Sequence, residues 1–222
     1  MTTFSLDGMD LAALLCSRVC HDVISPVGAI INGLEVLEDE KEGEMREIAL
    51  DLIKKSAAAA SARLQFCRLA FGAAGSVGAS IDTGDAENVT RGLITNDKVK
   101  LVWNAARQHA PKNKVKLVLN LCQIALSIIP RGGVITVSLT GEGDSLEAQV
   151  EASGANARLA HGVAALLAGA PEGGAVDAHS IQPYYAGLVA RSCGLHVTVE
   201  TEAERVTLQA RAAVSAPVAE PA

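Results

Sequence analysis

Two long runs of apolar residues at helical spacing constrain this chain of 222 residues more than any other feature. They predict one helix over about 10–38 and a second over about 44–71. Only the five residues 39–43 separate them, so the two helices are expected to form an antiparallel hairpin. One hairpin cannot enclose its apolar stripe, whereas two copies packed face to face form a closed four-helix bundle. The sequence therefore predicts a homodimer, with a monomeric hairpin packed on the rest of the chain as the alternative.

One histidine of the first helix stands apart from this stripe. At about 100° per residue, His21 projects roughly 135° away from the stripe centred on Val27. A lone histidine on a helix is usually inert, but here a carboxylate, Asp22, follows it directly and Pro26 lies about one turn further on. A proline inside a helix removes a backbone hydrogen bond and costs about 3 kcal/mol, so its presence beside the histidine indicates a functional site. We expect the following residues to form a protein-docking surface around His21, with an ordinary solvated helix as the alternative for each: Ser17, Arg18, Ser25, Gly28 and Asn32.

Composition limits the classes of partner and the cellular location that the sequence predicts. The net charge of −6 and the pI near 5.4 argue against a nucleic-acid partner, because nucleic-acid binders carry clustered Lys and Arg. No basic region precedes an apolar run at the N-terminus, and no stretch approaches 18 consecutive apolar residues. The sequence therefore predicts neither a signal peptide nor a membrane span, and a cytoplasmic location.

The cysteines and the remaining histidines suggest no metal site. The five cysteines are odd in number and lack the paired Cys-x-x-Cys spacing of metal ligands. Four further histidines are scattered and are predicted to be surface or loop residues: His109, His161, His179 and His196.

The pattern changes after a stretch rich in small residues at 72–78, which we interpret as a linker. We predict a helical-hairpin domain at 1–72, a second domain at 79–213 and a flexible tail at 214–222. Helices of the second domain are predicted at 85–93, 112–128, 157–168 and 181–193. Strands are predicted at 98–103, 134–140, 146–152, 195–201 and 205–211. The predicted fold class is α+β, a helical hairpin followed by an α/β sandwich with helices on one face of a mixed sheet.

The pattern His21-Asp22-x-x-Ser25-Pro26-Val27 resembles the H-box of two-component histidine kinases, and the second half resembles the ATPase domain that follows it there. The resemblance implies that His21 carries a phosphoryl group and that Asp22 orients and helps to deprotonate the imidazole. An unperturbed imidazole has a pKa of about 6.5, so a ring nitrogen is free to attack phosphorus at neutral pH.

Two nucleotide boxes of those kinases are degenerate here. In the Asn-Leu-x-x-Asn-Ala box, Asn120 is present, but the second asparagine, which helps to hold Mg²⁺ in kinases, is replaced by Ile124. An isoleucine offers no oxygen to a hard cation. In the Asp-x-Gly-x-Gly box, Ala152 replaces the aspartate that accepts the adenine amino group and Asn156 replaces the second glycine, so only Gly154 remains.

The glycine-rich lid that wraps the triphosphate in kinases is also missing. Before Leu188 the chain has Pro183, which lacks an amide donor, and the bulky Tyr184 and Tyr185. Backbone amides cannot cradle a phosphate there. Three independent losses together predict that the domain neither binds nor hydrolyses ATP.

An H-box hairpin joined to such a domain is similar to the ChpT-type histidine phosphotransferases of alphaproteobacterial phosphorelays, over about 11–211. The resemblance implies that His21 accepts a phosphoryl group from the receiver domain of a hybrid histidine kinase and passes it to response regulators. It also implies a dimer whose degenerate domain helps to dock receivers, and no cofactor of its own, with Mg²⁺ supplied by the receiver. The alternatives are a divergent autophosphorylating histidine kinase and a non-catalytic dimeric adaptor.

Overall fold

The chain begins with the predicted helical hairpin. A computed structural model describes residues 4–39, 42–72, 79–94 and 98–212. Helix α1 spans Gly8–Asp39 and helix α2 spans Glu44–Ala70, so both predicted helices are confirmed to within two residues. Most of the predicted linker, the predicted tail and the middle of the turn lie outside the described residues.

Helix α1 approaches α2 closely at a glycine, Gly33. Pro26 and Gly33 are its buried residues. A Cβ atom on Gly33 would lie 2.6 Å from Cγ1 of Ile53 on α2, so the glycine allows the helices to approach closely. The middle of the stripe centred on Val27 is exposed within one chain, as expected for a single hairpin that cannot enclose it. Met9, in the first turn of α1, is exposed as well. The other large apolar side chains of the described hairpin that are exposed are here called the apolar face: Ile24, Val27, Ile31, Leu34, Met45, Ile48, Leu52 and Leu64.

Helix α1 bears on the prediction that the chain has no membrane span. In the part of the chain that the structure describes, it is the one helix long and apolar enough, by length and composition alone, to cross a membrane, although it lacks 18 consecutive apolar residues. Polar side chains interrupt it, including Arg18 and Asp22, which form an ion pair. Its first leucines, Leu11, Leu14 and Leu15, pack against a buried cluster of the second domain formed by Leu166, Ile181 and Tyr184. Its apolar surface is thus divided between this contact and the apolar face.

A five-stranded mixed sheet forms the centre of the second domain. The bounds are β2 Val99–Asn104, β4 Gly133–Thr140, β5 Glu147–Ser153, β6 Leu195–Glu202 and β7 Arg205–Ala212. The strand order is β2-β4-β5-β7-β6, with β2 parallel to β4 and the other neighbours antiparallel. Strands β1 (Ser80–Asp82) and β3 (His109–Pro111) pair separately and were not predicted, because three residues are too few to show a periodicity.

Four α-helices accompany the sheet in the described residues of the domain. They are α3 Thr83–Leu93, α4 Lys112–Ile128, α5 Val163–Ala168 and α6 Ile181–Ser192. Alternate residues of β5 are buried in the same core as residues of α4 and α6, which confirms a sheet with helices on one face. The predicted helix over 157–168 is wrong in its first half. It begins only after Gly162, whose φ of 79° is left-handed and interrupts a helix.

Candidate functional site

His21 lies on the exposed side of α1. Its side chain is 65% exposed, and its Nδ1 lies 3.5 Å from Oδ1 of Asp22. One ring nitrogen therefore faces a carboxylate, which favours a proton on that nitrogen and leaves Nε2 as the nitrogen not engaged by Asp22.

The carboxylate of Asp22 is held on its other side. Its Oδ2 accepts hydrogen bonds from Nε of Arg18 and from Nε2 of Gln123 on α4, each at 3.1 Å. Arg63 of α2 donates from Nη1 to the backbone oxygen of Asp22. The Asp22 side chain is only 17% exposed. Three elements, α1, α2 and α4, therefore converge on the residue that faces His21.

The predicted docking residues divide into two groups. Ser17, Ser25 and Asn32 are exposed on α1, and Gly28 is half-buried with open space around the position of a Cβ atom. Arg18 differs from them because its guanidinium is engaged with Asp22 and only 21% of its side chain is exposed. Arg18 therefore belongs to the support of Asp22 more than to the open surface.

Two residues of the site were missed by the sequence analysis. Gln123 lies at a variable position of the degenerate asparagine box. His179, which we predicted to be a surface or loop residue, is exposed in the loop before α6, but its ring centroid lies 5.6 Å from that of His21 with the ring planes at 79°. Asp177 holds this loop by accepting hydrogen bonds from the backbone amides of His179 and Ser180 at 3.0 and 2.8 Å. No spacing rule predicts either contact, because each joins residues far apart in the chain.

The positions of two degenerate nucleotide boxes have structural roles. Asn120 is fully buried and donates from Nδ2 to the backbone oxygen of Ala70 on α2. Ala152 is fully buried in β5, in the core of the sheet. A Cβ atom on Gly154 would lie 2.5 Å from the backbone oxygen of Gly132, so this glycine serves a close approach of two loops.

The two tyrosines at the position of the nucleotide lid contact residues of the N-terminal part of the chain. Tyr184 is 1% exposed, its ring meets that of Phe4 edge to face at 5.5 Å, and its hydroxyl accepts a hydrogen bond from the backbone amide of Leu6. The ring of Tyr185 lies 5.6 Å from that of Phe71, just beyond α2. Side chains at the nucleotide-lid position thus pack the second domain against the first.

A cavity of about 390 Å³ opens between the hairpin and the second domain, lined by Asp22, Gln123 and Cys67 among others. Burial, and secondarily the charge of Asp22, raises the pKa of the Cys67 thiol to about 11. This thiol is therefore protonated at neutral pH and is a poor nucleophile. Across 4–39, 42–72, 79–94 and 98–212, no group of three or more His, Cys, Asp or Glu side chains is arranged to hold a metal ion.

The structure combines a helical hairpin with an ATPase-like α/β domain, and the hairpin carries an exposed histidine beside a carboxylate that is held by hydrogen bonds. This combination defines the class of histidine phosphotransferases. The family model for the histidine phosphotransferase C-terminal domain matches residues 83–205. The chain is 48% identical to the protein phosphotransferase ChpT of Brucella abortus (strain 2308) over 206 residues, which are 93% of this chain and 97% of that protein. It also resembles a solved structure of a bacterial phosphotransferase, with a TM-score of 0.86 and 45% identity over 95% of this chain and 100% of that one. The chain therefore belongs to the ChpT-type family of histidine phosphotransferases, which confirms the predicted family and class of activity.

Proposed function

We propose that His21 accepts a phosphoryl group from the receiver aspartate of a hybrid histidine kinase and passes it to the aspartates of response regulators. The observation that carries this proposal is the pairing of an exposed His21 with Asp22, whose carboxylate is held by Arg18 and Gln123. An idle surface histidine has no need of a carboxylate fixed from two elements. The proposed docking surface consists of Ser17, Ser25, Gly28 and Asn32. Arg18, which was also predicted to belong to it, borders this surface while its guanidinium supports Asp22.

The transfer follows from the geometry of the imidazole. Nε2 of His21 attacks phosphorus, a P–N bond forms, and the P–O bond to the receiver aspartate breaks, so that the electron pair leaves with the carboxylate. The proton on Nδ1 stays on the ring, where Asp22 balances the positive charge of the phosphorylated imidazole. The reverse attack by a second receiver aspartate delivers the group onward. The Mg²⁺ that neutralises the phosphoryl oxygens belongs to the receiver, and the chain needs no cofactor of its own.

The proposal includes that the second domain does not bind or hydrolyse ATP. Ile124 and Ala152 are buried in the domain core and offer neither a metal ligand nor an acceptor for an adenine amino group. Asn120 and Tyr184 are committed to contacts with the hairpin segment of the same chain. These contacts support a domain whose former nucleotide positions serve structure.

The proposal also includes a homodimer in the cytoplasm. The apolar face is too extensive for side chains that are exposed singly, and both helices of the hairpin contribute to it. A second copy covers it by completing a four-helix bundle. His21 lies outside the apolar face, so each copy keeps its histidine open to a receiver.

The test is phosphoryl transfer to the purified full chain from a receiver domain of a hybrid kinase charged with labelled acetyl phosphate. We expect label on the wild type, none on His21→Ala, and wild-type labelling of His196→Ala, which removes an exposed histidine elsewhere. Labelled ATP alone is the second arm, and we expect no label from it.

Each other outcome contradicts part of the proposal. Label taken from ATP alone identifies a divergent histidine kinase. A wild type that takes no label from a charged receiver is a non-catalytic adaptor, and an unchanged His21→Ala places the accepting group elsewhere.

A further inference from the structure

We propose that the ATPase-like domain contributes two positioning residues to the phosphotransfer site. Gln123 orients the carboxylate of Asp22, and His179 orients the ring of His21. This inference rests on the proposed function of His21. It assigns the second domain a part in the reaction itself, in addition to the docking role expected of it.

Gln123 reaches Asp22 from α4. The carboxamide can donate to a carboxylate only through its nitrogen, so the 3.1 Å contact with Oδ2 sets the orientation of the amide. Its Oε1 is buried, and no other described residue donates a hydrogen bond to it. A buried polar atom without a partner is unfavourable, so Oε1 does not hold the side chain in this position. The hydrogen bond from Nε2 to Asp22 does.

Two donors on one oxygen restrict the carboxylate. Arg18 and Gln123 both donate to Oδ2, one from the same helix and one from the second domain. The remaining oxygen, Oδ1, then faces Nδ1 of His21. Without Gln123, only Arg18 would restrain the rotation of the carboxylate from the Oδ2 side. Gln123 thus acts on the imidazole through Asp22 and is a positioning residue.

His179 restrains the other reacting part, the ring itself. His21 is exposed, so its side chain would be expected to exchange between rotamers. The edge-to-face arrangement with His179, at 5.6 Å and 79°, is the favoured geometry for two aromatic rings. The turn around Asp177 holds His179 in place. The loop before α6 thus places one ring against another and limits the orientations of Nε2.

The first test replaces Gln123 in the full chain. Gln123→Met keeps the length of the side chain and removes the donor, whereas Gln123→Glu keeps its shape and introduces a charge that repels Asp22. At saturating charged receiver, we expect both to transfer about 10-fold more slowly or worse, the size of one hydrogen bond to a charged group, with little change in KM. Ser127→Ala, on the same helix and bordering the same cavity, is the control and should transfer like the wild type.

The second test replaces His179. His179→Ala removes the ring contact and should slow transfer about 2- to 10-fold, the size of one aromatic pair. His179→Phe keeps a ring and should restore the rate. His161→Ala, at a histidine that is 91% exposed, is the control. An unchanged rate in His179→Ala, or a Phe variant no better than Ala, would overturn the assignment of His179.

A readout that does not depend on transfer separates this inference from the proposed function. The ¹⁵N chemical shifts of the His21 ring, measured on the unphosphorylated full chain, report its tautomer and its contact with Asp22. We expect them to move in Gln123→Met and to stay in Ser127→Ala. Unmoved shifts together with a wild-type rate would overturn the role of Gln123. If the wild type takes no label from a charged receiver but the His21 shifts still move in Gln123→Met, the proposed function is refuted and the positioning contact is supported.

Discussion

Asn120 on α4 donates a hydrogen bond from Nδ2 to the backbone oxygen of Ala70, the last residue of α2, across 3.2 Å. The same nitrogen donates to the backbone oxygen of Lys116 at 2.8 Å. The asparagine of a degenerate nucleotide box therefore joins the second domain to the hairpin. This link keeps α4, and with it Gln123, beside Asp22.

Asn120→Ala should lower the free energy of unfolding by about 1–3 kcal/mol, because it removes the donor from a buried carbonyl oxygen and leaves a small cavity. Urea unfolding followed by circular dichroism measures the change. Asn113→Ala, at an exposed asparagine in the first turn of the same helix, should change stability by less than about 0.5 kcal/mol. Equal effects of the two substitutions would contradict a structural role for Asn120.

Two glycines of α1 should respond in opposite directions to alanine. Gly33→Ala places a methyl group against Ile53, 2.6 Å from its Cγ1, and should destabilise the hairpin by about 1–3 kcal/mol. Gly28→Ala meets open space and should stabilise by about 0.5–1 kcal/mol, because alanine is the better helix former. Thermal unfolding of both variants tests this, and a stabilising Gly33→Ala would show that the helices are further apart than described.

The apolar face should control the oligomeric state. Ile31→Glu places a charge among side chains that a second copy is proposed to cover, and burying an unpaired charge is strongly unfavourable. Light scattering after size-exclusion chromatography should give twice the 22.9 kDa chain mass for the wild type and the single mass for Ile31→Glu. Ala58→Glu, an exposed position on another side of α2, should remain a dimer. A monomeric wild type would refute the dimer proposal directly.

The phosphorylated nitrogen of His21 should be Nε2. Nδ1 faces Oδ1 of Asp22 at 3.5 Å, so the opposite nitrogen is the one available to a receiver. Phosphorus and ¹⁵N NMR of the phosphorylated chain distinguish the two isomers. Detection of the Nδ1 isomer would mean that Asp22 leaves the ring before transfer.

The reactivity of the cysteines towards an alkylating reagent should follow their burial. Burial raises the pKa of Cys67 to about 11 and that of Cys122 to about 12, whereas Cys16 and Cys20 are exposed on α1. Iodoacetamide at pH 7.5, followed by mass spectrometry, should therefore modify Cys16 and Cys20 in the folded chain and reach the buried pair only after unfolding. Rapid labelling of Cys67 in the folded chain would show that its cavity opens.

The same shifts give a dependence of stability on pH. The ordinary pKa of these thiols is 9.0. As the pH rises from about 9 towards 11, the unfolded chain releases these protons while the folded chain retains them, so stability falls. Urea unfolding at pH 8 and pH 10 measures the change, and the variant Cys67→Ser should show a smaller decrease than the wild type. An equal decrease in both would assign the effect to other groups.

Local patterns predicted most of the elements but not all. The helix over 112–128 was predicted to the residue, because its apolar periodicity is long and uninterrupted. The helix predicted from 157 begins only at Val163, because Gly162 adopts a left-handed conformation that composition alone does not reveal. Strands β1 and β3 were missed because each has only three residues and depends on a partner distant in the chain.

The sequence by itself determined the hairpin, the His21 motif and the loss of three nucleotide boxes, because periodicity and motif spacing are local properties of the chain. It did not determine which residues support the site. Gln123 and His179 come to the His21–Asp22 pair from α4 and from the loop before α6, and only the docking of the two domains brings them there. The physical reason is that hydrogen bonds and ring contacts depend on distance in space, which spacing along the chain does not encode.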